Sequence, residues 1–142
     1  MLSTLFCAIL MTAPLGPLAA ASQTSAATTQ QNHKTIKAEE LKSWYDQNKQ
    51  MVVLDARSKN YFDGTMLPDA KWLPSDSSEK EILATVPNKE SLIVVYCAGV
   101  KCPASGWLYD KLYSMGYHNV YEYHEGLEEW MQKGYPTTEE EE

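Results

Sequence analysis

The stretch "LIVVYCAGVKCPASGW", residues 92–107, sets an apolar run directly against two cysteines five residues apart, followed by a proline and a segment of helical spacing. Residues 92–96 are the short β-branched run expected of a strand buried on both faces of a parallel sheet. Beyond them Ala104, Leu108, Leu112 and Met115 recur on one helical face that stops at Gly116, a residue suited to a helix C-terminus. Pro103 fits the first helical position, where its missing N–H would have had no partner, and Cys102 becomes the expected N-cap. The reading is strand, cysteine loop, helix.

Working outward, the same alternation continues. "IKAEELKSWYDQN" places Leu41, Trp44 and Tyr45 at three-and-four spacing behind an acidic first turn, as in an amphipathic helix. "MVVLDA", residues 51–56, is a second buried strand, and the turn-rich "SKNYFDGTMLPDAKWLP" holds a short strand at 70–73. "SSEKEILATV" reads as a helix ended by Pro87, "NVYEY" as the last strand and "GLEEWMQKG" as the closing helix. Strands alternating with helices imply an α/β fold, a parallel sheet flanked by helices on both faces. Ligands of such sheets bind beyond the carboxyl ends of the strands, where Cys97 stands.

Composition bounds the function. The chain has 142 residues, 44% of them hydrophobic, enough for one domain with one core. Twelve Lys and Arg against nineteen Asp and Glu give a net charge of -7, which disfavours nucleic acid and anionic membranes as partners. Residues 1–21 carry no charged side chain, hold the apolar run 5–11 and end in Ala19, Ala20 and Ala21. This is the pattern of a signal peptide cleaved near Ala21, although no Lys or Arg precedes the apolar run. Pro14, Gly16 and Pro17 interrupt the run before the roughly 20 residues a spanning helix needs, so no stable membrane insertion is expected after cleavage. Cys7 would leave with the signal, and the mature protein would be periplasmic or secreted. Residues 22–34 read as a flexible polar leader, 35–137 as the folded domain and 138–142 as an acidic tail.

The two remaining cysteines have chemical potential. A loop between a strand end and a helix N-terminus offers free amides and the positive end of the helix dipole, and Lys101 adds a charge. Both effects depress a thiol pKa, as a sulfur nucleophile requires. Cys102, as N-cap, has the more direct contact with the dipole, whereas Cys97 faces the amides of Ala98, Gly99, Val100 and Lys101; these local arguments do not rank them. His118 and His124 flank the last strand at spacings that match no structural zinc motif, and no metal is expected. His124 would emerge beside Cys97 as a rim residue. Most of Trp44, Trp72, Trp107 and Trp130 are expected in the core, and Tyr109, Tyr113, Tyr117, Tyr121 and Tyr123 at half-buried surface.

Four blocks in order, "AEELKSWYDQNKQMVVLDAR", "YFDGTMLPDAKWLP", "LIVVYCAGVKCPAS" and "MGYHNVYEYHEGLEEWMQKGYP", resemble the rhodanese-like domains. The resemblance implies a five-stranded parallel sheet flanked by helices. It also implies sulfur transfer from thiosulfate or a similar small anion to cyanide or a thiol, with no cofactor beyond a transient cysteine persulfide. The residue in the position of the family's nucleophile is Cys97, cradled by the amides of Ala98, Gly99, Val100, Lys101 and Cys102. Asp55 and Arg57 match the family's "DVR" and are implied to be supports. The chain departs from the family pattern in a loop and helix two residues longer than in compact members, in one Lys where an Arg-rich loop is usual, in Met66 at a His position, and in Glu125–Gly126 for a glycine pair. Cys102 would be a resolving thiol that attacks the persulfide, releasing hydrosulfide. Two rival readings stand beside this one. The first is a thiol-disulfide redox or sensing protein that uses both cysteines and meets a redox partner protein, which an oxidising compartment favours. The second is a binding module of the same fold without turnover.

Overall fold

The computed structural model describes residues 32–140, so the signal-peptide expectation, most of the leader and the last two glutamates lie outside the described residues. The chain runs through α1 (Ala38–Asp46), β1 (Val52–Asp55), β2 (Thr65–Met66), β3 (Lys71–Trp72), α2 (Glu79–Thr85), β4 (Ile93–Tyr96), α3 (Ala104–Ser114), β5 (Val120–Tyr123), α4 (Gly126–Gln132) and β6 (Thr138–Glu139). A parallel sheet has the order β3-β1-β4-β5, and β2 pairs antiparallel with β6 in a second, two-stranded sheet.

Every residue of β4 is fully buried, which is why its sequence is apolar without alternation. Alternate side chains nevertheless go to opposite faces. Ile93, Val95 and Cys97 join Leu54, Ile82, Leu108 and Leu112 on the face covered by α2 and α3. Val94 and Tyr96 join Val53, Leu41, Trp44, Leu127 and Trp130 under α1 and α4. α2 is fixed at its start by a capping box, with the Glu81 amide donating to Ser78 and the Glu81 carboxylate accepting from the Ser78 amide.

The main sheet has four strands where five were expected. Where a fifth would lie, Thr35 makes a single parallel bridge to Glu122, flanked by bonds from Glu122 N–H to the Lys34 carbonyl and from Ile36 N–H to the Glu122 carbonyl. The chain turns into α1 at Ala38, too soon for a second pair. Two residues of the expected leader are therefore packed on the domain. The His33 ring stacks on Tyr109 at 4.1 Å and hydrogen-bonds to Glu122 at 2.7 Å and Asp110 at 2.9 Å. At the other terminus Thr138 and Glu139 pair with β2. Pro103, not Cys102, is the N-cap of α3. Trp44 and Trp130 are buried, but Trp107 is 61% exposed, while Tyr109, Tyr117 and Tyr123 are buried rather than half-buried. The hydroxyls explain the tyrosines: Tyr117 donates to the Val86 carbonyl, Tyr123 to Glu129, and Tyr109 accepts the Lys34 amide.

Asp55, the last residue of β1, and Arg57 form a buried ion pair, with Arg57 Nη2 2.8 Å from Asp55 Oδ2. The guanidinium also donates to Asp63 and the Thr65 carbonyl, and the Arg57 carbonyl accepts the Trp72 indole. It pins the turn-rich segment to the sheet. Burial works against the charged guanidinium, and its bonds to Asp55 and Asp63 more than reverse that, raising its pKa. Arg57→Met leaves Asp55 buried without its partner and should cost about 3–5 kcal/mol in chemical denaturation; a loss under about 1 kcal/mol would show that the pair does not hold this segment.

Burial disfavours the His33 cation, yet bonds to Glu122 and Asp110 outweigh it and raise its pKa above 6.5. Burial likewise opposes the Glu122 carboxylate, and bonds from His33 and Ser105 bring its pKa below 4.5. The His33 contribution is complete below pH 6.5 and lost as pH rises through the higher folded value; that of Glu122 is complete above pH 4.5 and lost as pH falls through its lower folded value. The clasp is strongest between these limits. His33→Gln should lower stability by about 1 kcal/mol near pH 6, given partial exposure, and the deficit should shrink as pH rises. Urea midpoints of both proteins across pH check this, and a deficit independent of pH counts against the ionic clasp.

Candidate active site

Strands β1, β4 and β5 end in register, with Asp55 opposite Tyr96 and Tyr96 opposite Tyr123. The next residues, Ala56, Cys97 and His124, therefore leave the sheet at one edge. Below them the Tyr96 hydroxyl accepts the Leu67 amide, and burial, with Asp55 adding to it, pushes that phenol up and keeps it neutral. Cys97 is 1% exposed and packs with Leu54, Ala104 and Leu108 on the α3 side.

After Cys97 the chain makes a tight loop. The Cys102 amide donates to the Gly99 carbonyl at 2.9 Å and is thereby removed from the expected cradle. Among the described residues, the amides of Ala98, Gly99, Val100 and Lys101 donate to no protein acceptor. Free backbone N–H groups in a loop of this kind are the donors from which anion-binding nests are made. Cys97 and Cys102 are joined by a disulfide, with Cα atoms 6.1 Å apart.

The loop is held from outside by α4. Leu127 N–H donates to the Cys97 carbonyl at 3.0 Å and Glu128 N–H to the Ala98 carbonyl at 2.8 Å. These two bonds bring the backbones so close that a Cβ on Gly126 would stand 2.4 Å from the Cys97 carbonyl oxygen, and Gly126 has φ +67°. Only glycine meets both demands. Of the family's glycine pair, the member retained in this chain is the one the loop requires.

The loop opens on a cleft of about 510 Å³ lined by Tyr61, Ala98, Gly99, Val100, Lys101, Cys102, Pro103 and Glu128. Its charged residues are Lys101 and Glu128, both exposed. Glu128 Oε2 lies 2.8 Å from where a Gly99 Cβ would be, so a carboxylate hangs over the loop. Tyr61 is 75% exposed and forms an apolar rim with Val100. Tyr61, Gly126 and Glu128 were not singled out as site residues in the sequence. Glu128 follows Gly126 by two positions, and that spacing was the available signal.

Other expected residues fall outside the cleft lining. His124 has its Nδ1 3.5 Å from Glu122 Oε1 and faces that carboxylate. Asp55 and Arg57 are buried behind the loop and hold β1 and its following turn. Among the described residues no cluster of three or more His, Cys, Asp or Glu is arranged to hold a metal ion.

This arrangement agrees with comparisons to known proteins. The family model of the rhodanese-like domain matches residues 37–133. The chain belongs to the rhodanese-like domain family. It is similar in structure to a protein from Bacillus halodurans at 20% identity and TM-score 0.67, covering 75% of this chain and 77% of that one. The rhodanese-like domain of an Anabaena protein matches at 25% identity and TM-score 0.64, covering 76% and 80%. A thiosulfate sulfurtransferase from Pseudomonas aeruginosa matches at 19% identity and TM-score 0.65, over 77% of this chain and 21% of that longer one. No curated protein matches the sequence.

Gly126→Ala should force α4 away from the loop, lowering stability by at least about 1–3 kcal/mol and slowing or unmasking alkylation of Cys97 in the reduced protein. Denaturation and timed iodoacetamide labelling measure both. Unchanged values would mean that the α4 contact does not shape the loop.

Proposed function

We propose that the chain is a sulfurtransferase that carries sulfane sulfur as a persulfide on Cys97. The observation that supports it most is the placement of Cys97 at the end of β4, beside four unspent amides and a cleft wide enough for a small anion. In the reduced protein the Cys97 thiolate attacks the outer sulfur of thiosulfate. The S–S bond breaks, sulfite leaves with the electron pair, and a persulfide remains. The loop amides stabilise its negative charge. Cyanide or a thiolate then takes the outer sulfur and restores the Cys97 thiolate. No cofactor enters the cycle, and export to the periplasm or beyond belongs to the same reading.

One observation favours a second reading. The Cys97–Cys102 disulfide is what a thiol-disulfide redox or sensing protein would cycle. Thiosulfate separates the two. The reduced chain should gain one sulfur atom by intact mass and form thiocyanate on adding cyanide; Cys97→Ser should abolish both, and Cys102→Ser should retain them. Absence of any sulfur adduct, with a readily cycled disulfide, would establish the redox reading in its place. Ligand binding without either reaction would leave a non-catalytic module.

The acid at the cleft also matters. Glu128 repels a dianionic donor, so Glu128→Gln should lower KM for thiosulfate about fivefold, equivalent to ~1 kcal/mol of repulsion in a solvated cleft, with kcat unchanged. The gain should fade with added salt. A KM that does not move would show that the carboxylate is turned away from the donor.

A further inference from the structure

The disulfide raises a question that the sulfur-transfer reading leaves open: how the capped Cys97 becomes a thiolate. The two sulfurs are not equally accessible. Cys97 is 1% exposed and packed against Leu54, Ala104 and Leu108. Cys102 is partly exposed and is the cysteine that lines the cleft, between Lys101 and Pro103. A thiolate attacks a disulfide sulfur in line with the bond that breaks, so access and leaving group together choose the sulfur. Cys97 belongs to the apolar core cluster and does not line the cleft, whereas Cys102, partly packed on the same cluster, does, so a thiol arriving through the cleft meets Cys102 first.

We infer that Cys102 is the electrophilic sulfur through which an external thiol opens the site, and that the cleft is where this thiol binds. This rests on the sulfurtransferase reading for its purpose but not for its chemistry. The incoming thiolate forms a bond to Cys102 Sγ as the Cys102–Cys97 bond breaks. The electron pair leaves on Cys97, where the amides of Ala98, Gly99, Val100 and Lys101 are free to receive a thiolate. A second thiolate then attacks the incoming sulfur, forming a new external disulfide and releasing the Cys102 thiolate. Two thiols are oxidised by two electrons, two protons go to solvent, and the protein disulfide is reduced. Lys101 stands at the mouth of the cleft to attract the anionic nucleophile, and the exposed Tyr61 and Val100 contact its carbon chain.

The direction of opening can be read because Lys101 lies between the cysteines and trypsin separates them into peptides 90–101 and 102–111. The oxidised full chain is mixed with glutathione, quenched early with acid, alkylated with N-ethylmaleimide and mapped. Glutathione should be found on Cys102 and maleimide on Cys97, in at least about tenfold excess over the reverse. Glutathione mainly on Cys97, or shared evenly, overturns the inference. Should the adduct be too short-lived to trap, the rate of 5-thio-2-nitrobenzoate release decides. Cys97→Ser and Cys102→Ser are each loaded with this group on the remaining cysteine and treated with glutathione. Release from Cys102 should be at least about tenfold faster than from Cys97, and equal or inverted rates overturn the inference. Sulfur loading from thiosulfate is measured separately on the reduced chain, so either idea can fail while the other stands.

Discussion

The site depends on one constraint: β4 is buried on both faces and hydrogen-bonded on both edges. A strand so enclosed cannot tolerate an unpaired backbone group, so β1 and β5 must run beside it in register for its whole length. Their common end fixes where the chain first escapes the sheet. At that edge backbone amides again become free, and Cys97 is the first residue there. Its low exposure and its nearness to unspent N–H groups have the same origin.

What keeps the loop from collapsing onto itself is the start of α4. The amides of Leu127 and Glu128 would be orphans of a helix N-terminus, and here they are satisfied by the carbonyls of Cys97 and Ala98. The carbonyls of Cys97 and Ala98 are held by α4, while the loop's own N–H groups from Ala98 to Lys101 stay without a protein acceptor. Gly126 makes that docking geometrically possible. The electrostatics of the cleft are consequently mixed, with neutral dipoles and Lys101 drawing anions and Glu128 opposing them. The proposed sulfur donors and thiols would meet this charge balance as well as the size of the opening.

The outer edges of the sheet are managed separately. β5 would expose an open edge, and the segment around Thr35 covers it with one bridge made of two hydrogen bonds, reinforced by the His33 clasp on Glu122. Since Ser105 at the first turn of α3 also donates to Glu122, the same carboxylate ties the N-terminal segment to the helix that follows the cysteine loop. Among the described residues the sheet partner of β2 is β6, which secures the turn-rich segment carrying Tyr61 from the far end of the domain.

By itself the sequence determined the strand-loop-helix around Cys97, the alternation that makes a parallel sheet, and the position of both cysteines at its carboxyl edge. Those features are local, written in apolar runs and in the residues that stop them. The expected fifth strand shrank to a bridge, His33 joined the domain and Tyr117 went inside because each was settled by a hydrogen-bond partner far away in the chain, whereas Tyr123 found its partner, Glu129, in the next helix. Tertiary structure alone decided that Glu128 overhangs the loop and that Gly126 must have no side chain. The reason is physical: spacing along a chain records which residues share a face, whereas a cleft is made by residues from separate elements whose distance is fixed only when the sheet packs.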